Sequence, residues 1–178
     1  MTAFGARDPR VGRVGALTVN ERSDIALASV AIRRGRDLTA SAAAAGVPLP
    51  GPARHLSGTP CSAFWVTPEM WFVEAPFASH EDLAAHLKAA MGDAASITEQ
   101  TDAWVILDLA APDLAPLLER LSNVDFPAAP KGFATRTVID HLGCYLIKHG
   151  PGSVRLYGPR SSAQSLWHAI EVAAASVW

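Results

Sequence analysis

The chain has 178 residues, 49% of them hydrophobic and 18% charged, which is enough for one domain with a full core or for two small lobes. Its net charge of −2 excludes a global basic field for nucleic acid or anionic lipid. No run reaches the roughly 18 apolar residues of a membrane span, and the isolated cysteines Cys61 and Cys144 signal neither a zinc knuckle nor a disulfide framework.

Met1–Val14 carries Arg7, Arg10 and Arg13 without an apolar stretch behind them, so it does not read as a secretory signal. Residues 1–15 are expected to form a flexible arm, and the protein to stay in the cytoplasm with both cysteines reduced and buried. Ala16–Arg22 reads as a first strand and Ala26–Arg33 as a second, ended by Gly35. Asp37 can cap a short Ala-rich helix through Ala45, with Gly46 at its C-terminal cap. Val47–Pro60 holds four prolines and two glycines, and reads as the boundary if residues 16–178 form two lobes rather than one domain.

Ala63–Val66 and Met70–Ala75 flank Thr67-Pro68-Glu69 and predict a hairpin. Ser79, with Asp82 three residues on, predicts a helix start; Leu83, Leu87 and Met91 share one face, and Gly92 stops it. Ile97–Thr101 and Ala103–Ala110 read as a strand pair turning at Asp102. Asp113 caps a third helix with Pro116 in its first turn and Leu114, Leu117, Leu118 and Leu121 as its buried stripe. After a second proline-rich loop, Phe126–Pro130, three strands follow: Phe133–Asp140, Cys144–Lys148 and Ser153–Tyr157. The last helix carries Leu166, Trp167, Ile170 and Ala174 on one side.

A strand–Pro–helix phrase thus recurs three times: Val66–Pro76 with Ser79–Met91, Trp104–Pro112 with Asp113–Leu121, and Val154–Pro159 with Ser161–Ala175. The order ββα, ββα, ββα, βββα predicts an α+β fold of ferredoxin-like units in pseudo-repeat, with helices on one sheet face.

The chemistry-bearing residues do not converge. His80 and His86 are six residues apart, not the three or four that share a helix face, and His55, His141, His149 and His168 are scattered. Ser161, Ser162 and Ser165 lack a nucleophile elbow and read as helix caps. Glu74, Glu99, Asp102 and Asp108 sit on or beside strands, and Asp108 interrupts the apolar run Val105–Leu109. Gly12-x-x-Gly15 precedes a strand and so lacks the context of a nucleotide loop. Gly158-Pro159-Arg160-Ser161-Ser162 enters a helix and could present N–H groups and a cation to an anion. Among the aromatics, Trp104 and Trp167 fit core positions, whereas Trp65, Trp71 and Trp178 stand near a hairpin end or the C-terminus. With Arg160 these are the expected partner-interface residues, the hairpin of Trp71 foremost. The residues give no catalytic, cofactor-binding or metal site.

The segments Thr98–Trp104 (TEQTDAW), Val66–Pro76 (VTPEMWFVEAP) and Gly158–Ile170 (GPRSSAQSLWHAI), in that fold context, resemble the gamma subunit of heterotetrameric sarcosine oxidase. Asn20–Ser29 and Ile32–Gly35 add to the likeness, which runs from about Thr18 to the C-terminus. The resemblance implies a fold similar to the folate-binding domain of aminomethyltransferase, the T-protein. It implies alpha, beta and delta partner subunits that hold FAD, FMN, NAD, zinc and tetrahydrofolate. The complex would demethylate sarcosine to glycine, yielding hydrogen peroxide and methylenetetrahydrofolate or formaldehyde. No catalytic residue of the family falls on gamma, so none is carried over. Lys131-Gly132-Phe133 is similar to the Lys-Gly-Cys phrase of folate-binding iron–sulfur repair proteins, but Phe133 stands at the cysteine and Arg136-Thr137 at an expected Gln-Glu. Competing readings are a free-standing folate-binding protein, the gamma subunit of a secondary-amine dehydrogenase such as N-methylglutamate dehydrogenase, and a hydrolase using the Ser161 cluster. The isolated chain is expected to self-associate through its uncovered apolar face.

Overall fold

The structure, a computed structural model, describes residues 2–178. In chain order its elements are β1 (Val11–Val14), β2 (Leu17–Glu21), β3 (Ile25–Ile32), α1 (Thr39–Ala44), β4 (His55–Leu56), β5 (Ser62–Thr67), β6 (Met70–Pro76), α2 (Leu83–Met91), β7 (Ala95–Glu99), β8 (Trp104–Ala110), α3 (Ala115–Leu121), β9 (Ala134–Ile139), β10 (Leu142–Gly150), β11 (Ser153–Pro159) and α4 (Ala163–Ala175). The fold is α+β, with two antiparallel sheets.

Two compact units emerge: Asp24–Asp102, and the chain up to Ser23 together with Ala103–Trp178. The inner unit has the strand order β4-β5-β6-β3-β7. Without its short edge strand β4 it is β3-α1-β5-β6-α2-β7, a βαββαβ ferredoxin-like unit with the first and third strands central. Ala26, Ala28 and Val30 of β3 face Leu38 and Ala42 near α1 and Leu83, Leu87 and Met91 of α2, all buried in one cluster. The opposite sheet face carries Leu27, Phe64 and Phe72, also buried, with the two phenyl rings edge to face at 5.4 Å.

The outer unit has the order β1-β2-β8-β11-β10-β9. It repeats the same plan from β8 onward, with β8-α3-β10-β11-α4 supplying all but the last strand. β2, from the start of the chain, fills that last slot beside β8, and β9 flanks β10 as β4 flanks β5. Leu17, Val19, Leu107, Leu146 and Leu156 meet Leu117 and Leu118 of α3 and Leu166, Trp167 and Ile170 of α4 in its core. The inner unit is therefore an insertion between two paired strands, β2 and β8 (Glu21 opposite Leu107). Its own entry and exit are tied together: Gln100 N–H donates to Leu27 O at 2.9 Å, and Leu27 N–H to Thr101 Oγ1 at 2.9 Å.

This topology corrects four expectations. The division falls at Ser23/Asp24 and Asp102/Ala103; Val47–Pro60 lies wholly inside the inner unit, so it is not a lobe boundary. Ile97–Thr101 and Ala103–Ala110 are not a strand pair, because β7 bonds β3 in one sheet and β8 bonds β2 and β11 in the other. The first and third copies of the strand–Pro–helix phrase (β6-α2, β11-α4) are equivalent, but the second (β8-α3) corresponds to β3-α1. The arm of residues 1–15 includes β1, which pairs with β2.

Local signals were closer. Asp113 Oδ1 accepts Ala115 N–H at 3.0 Å at the start of α3, and Gly46 adopts a positive φ of 67° after α1. α2 starts at Leu83 rather than Ser79, with Asp82 itself as the cap, accepting Ala85 N–H at 3.1 Å.

Candidate functional site

Polar constellations are built into each of the two units. In the outer unit Asp108 of β8 stands opposite Arg155 of β11. Arg155 Nε donates to Asp108 Oδ1 at 2.7 Å and Arg155 Nη2 to Oδ2 at 2.9 Å, while Arg22 Nη1 donates to Oδ2 at 2.6 Å. Burial pushes the Asp108 carboxyl up, but the hydrogen bonds and charge of Arg155, then Arg22, outweigh it and hold the group below its ordinary range. A carboxylate so committed to two guanidiniums is an ion-paired strut, not a proton-transfer group.

A second cluster binds the N-terminal segment to α4. Buried Glu21 accepts Ala3 N–H at 2.6 Å and Arg10 N–H at 2.8 Å. The Arg10 guanidinium lies over the Trp167 ring at 4.2 Å and the Phe4 ring at 5.0 Å, and donates to Gln164 Oε1 at 3.0 Å. The indole N–H of Trp167 donates to Glu171 Oε1 at 2.6 Å. Lys148, buried on β10, donates to the Phe126 and Ala129 carbonyls at 2.6 and 2.7 Å, fastening the second proline-rich loop.

In the inner unit His55 of β4 and Glu74 of β6 form a buried pair, Nε2 to Oε2 at 3.3 Å. Nothing in the sequence joins His55 to Glu74; only the β4-β5-β6 pairing brings them together. His80 and His86 also meet, their ring centres 5.5 Å apart, because His80 lies in the turn before α2 rather than on it. Among the described residues, no three or more His, Cys, Asp or Glu side chains are grouped to hold a metal ion. Cys61 and Cys144 are buried and free, and burial pushes the Cys144 thiol up to about 11.

The four expected interface residues are divided between the two units, Trp65 and Trp71 in the inner and Arg160 and Trp178 in the outer. Trp71 is a correction: it is buried, its indole N–H donating to Pro50 O at 2.8 Å, so the hairpin's inner face is core. Its cross-strand neighbour Trp65 is half-buried. Arg160 donates to the Thr2 carbonyl at 3.0 Å, a bond to the N-terminal segment. Trp178 is 42% exposed and packs where Gly15 has no side chain: a Cβ there would lie 2.2 Å from its own Cβ. Ser162 precedes α4 but makes no capping bond, which corrects the reading of the serines as caps. Gly158 serves packing, since a Cβ there would stand 2.4 Å from Leu166 Cδ2. Trp104, expected in the core, is half-buried beside Tyr145, ring centres 5.3 Å apart.

Neither a protein-family model nor a curated protein matches the sequence. Solved structures do match the fold. A chain of heterotetrameric sarcosine oxidase from Corynebacterium sp. U-96, in complex with pyrrole 2-carboxylate, superposes with a TM-score of 0.79 at 19% identity, over 93% of this chain and 87% of that one. The glycine cleavage system aminomethyltransferase T from Bartonella henselae superposes at 0.60 with 14% identity, over 84% of this chain but 44% of that one. The chain thus shares its α+β fold with a sarcosine oxidase chain and with part of an aminomethyltransferase. No helix among the described residues is long and apolar enough to cross a membrane.

Proposed function

We propose that this chain is the gamma-type, non-catalytic subunit of a heterotetrameric sarcosine oxidase. The observation that carries the reading is the near end-to-end correspondence with one chain of such a heterotetramer, 93% of this chain against 87% of that one. The three ordered segments that resemble the gamma family support it. So does the use of the polar groups: Asp108, Glu21 and Lys148 are spent on tying strands, the N-terminal segment and a loop together. In this reading the alpha, beta and delta subunits hold FAD, FMN, NAD, zinc and tetrahydrofolate and oxidise sarcosine in the cytoplasm. The present chain holds no cofactor and contributes to their assembly.

The test is affinity purification from the native host with flavin absorbance read on the eluate. Flavin-bearing partners in a fixed ratio are expected, and a complex lacking this chain should lose stability or turnover. Unchanged assembly, stability and sarcosine oxidation without it would refute the reading. Oxidation of N-methylglutamate rather than sarcosine by the purified complex would move the assignment to a related secondary-amine dehydrogenase. A second reading, a free-standing folate-binding protein, draws on the aminomethyltransferase likeness. Calorimetry with tetrahydrofolate separates the two: micromolar binding by the isolated chain supports the second, and no heat retires it.

A further inference from the structure

We propose that His80 and His86 form a two-imidazole chelate for a divalent transition-metal ion at the entry to α2, a site independent of the subunit reading above. The first observation is proximity: the ring centres are 5.5 Å apart and the rings are tilted by 57°. With metal–nitrogen bonds of about 2.0–2.1 Å, two imidazoles sharing a tetrahedral ion have ring centres roughly 5–5.5 Å apart. The two ring centres already stand at that spacing.

The second observation is how each ring is anchored. His86 Nδ1 lies 2.9 Å from the Asp82 carbonyl, which can only accept, so Nδ1 carries a proton and, in the neutral ring, Nε2 presents its lone pair. His80 Nδ1 lies 2.9 Å from Ser79 Oγ, whose hydroxyl proton goes to the Pro76 carbonyl at 3.3 Å; the oxygen then accepts from Nδ1 and, in the neutral ring, Nε2 is again the free nitrogen. A ring nitrogen fixed by an oxygen acceptor on the far side is the arrangement that orients metal-binding imidazoles. Both backbones are set locally: His80 N–H bonds the Pro76 and Phe77 carbonyls, and His86 N–H bonds Asp82 O. The positive end of α2 opposes a cation here, and the exposed carboxylates of Glu81 and Asp82 offset it. With two protein ligands the remaining positions go to water, so the site is open-sided and its preference runs to imidazole-seeking ions such as Cu²⁺, Ni²⁺ and Zn²⁺ over Mg²⁺ or Ca²⁺.

The experiment is isothermal titration of the untagged full chain with NiCl₂, then ZnCl₂, in non-chelating buffer at pH 7.5. One ion per chain is expected, and H80Q and H86Q should each weaken binding by more than about tenfold. H168Q, which alters the exposed histidine of α4, should leave binding unchanged. Because His86 is exposed on the helix, its variant should keep the wild-type circular dichroism spectrum. As a second readout, the imidazole C–H proton resonances of His80 and His86 should broaden first on substoichiometric Ni²⁺. No binding by the wild type, or binding that survives H86Q, overturns the proposal, as does broadening confined to other histidines.

Discussion

Replacing Asp108 by asparagine removes the negative charge from the ion-paired strut while keeping its shape. One asparagine oxygen can still accept from Arg155, but the new NH₂ group then faces the donors of Arg155 and Arg22, which now converge on Oδ2 at 2.9 and 2.6 Å. The side chains of Arg155, Asp108 and Arg22 are 14%, 27% and 32% exposed, so the cluster lies between a surface pair and a buried one. Exposed pairs contribute about 0.2–1 kcal/mol, whereas breaking a buried pair from one side costs about 3–5 kcal/mol. A cost of about 2 kcal/mol is expected, or a fall in Tm of about 4–8 °C for a chain of this length. The pH dependence has a definite sign. The folded carboxyl titrates below its ordinary 3.8, so its stabilisation is present above that value and is lost as pH falls through the folded value. Thermal melts followed by circular dichroism should therefore show a gap between wild type and D108N that is full at pH 7 and closes below about pH 4. D108N combined with R155Q should cost less than the sum of the two single changes. A melt of D108N within about 1 °C of wild type at pH 7, or a gap unchanged at pH 3, would refute the reasoning.

Four further outcomes follow from the same structure. G152A places a Cβ 2.2 Å from the Ala111 backbone oxygen, which cannot swing aside, and should cost about 2–4 kcal/mol. G158A meets the movable end of Leu166 and should cost roughly half as much in denaturant melts. E21A removes the acceptor of Ala3 and Arg10, so trypsin should cut at Arg7 and Arg10 severalfold faster with the far-UV spectrum retained; an unchanged cleavage rate would show that the segment is held otherwise. K148M strips the donor from two loop carbonyls and should lower stability by about 2–4 kcal/mol, checked by urea unfolding.

What the sequence determined by itself was whatever depends on neighbours a few residues away. The hairpin of β5 and β6, the cap at Asp82, the Asp113 turn that leads into α3, the stop at Gly92 and the buried stripe Leu83–Leu87–Met91 all rest on bonds or spacings within one or two turns of chain. The α+β class follows from those pieces. Only the tertiary structure decided which strands share a sheet. β7 and β8 are consecutive yet lie in different sheets, and β2 closes the unit to which α4 belongs, because each sheet packs one face on its own pair of helices. The same long-range pairing turned a loose arm into a segment held by Glu21, drew Trp71 inward and joined His55 to Glu74. Those contacts span sequence distances over which no local propensity acts, and so they become visible only once the sheets have closed.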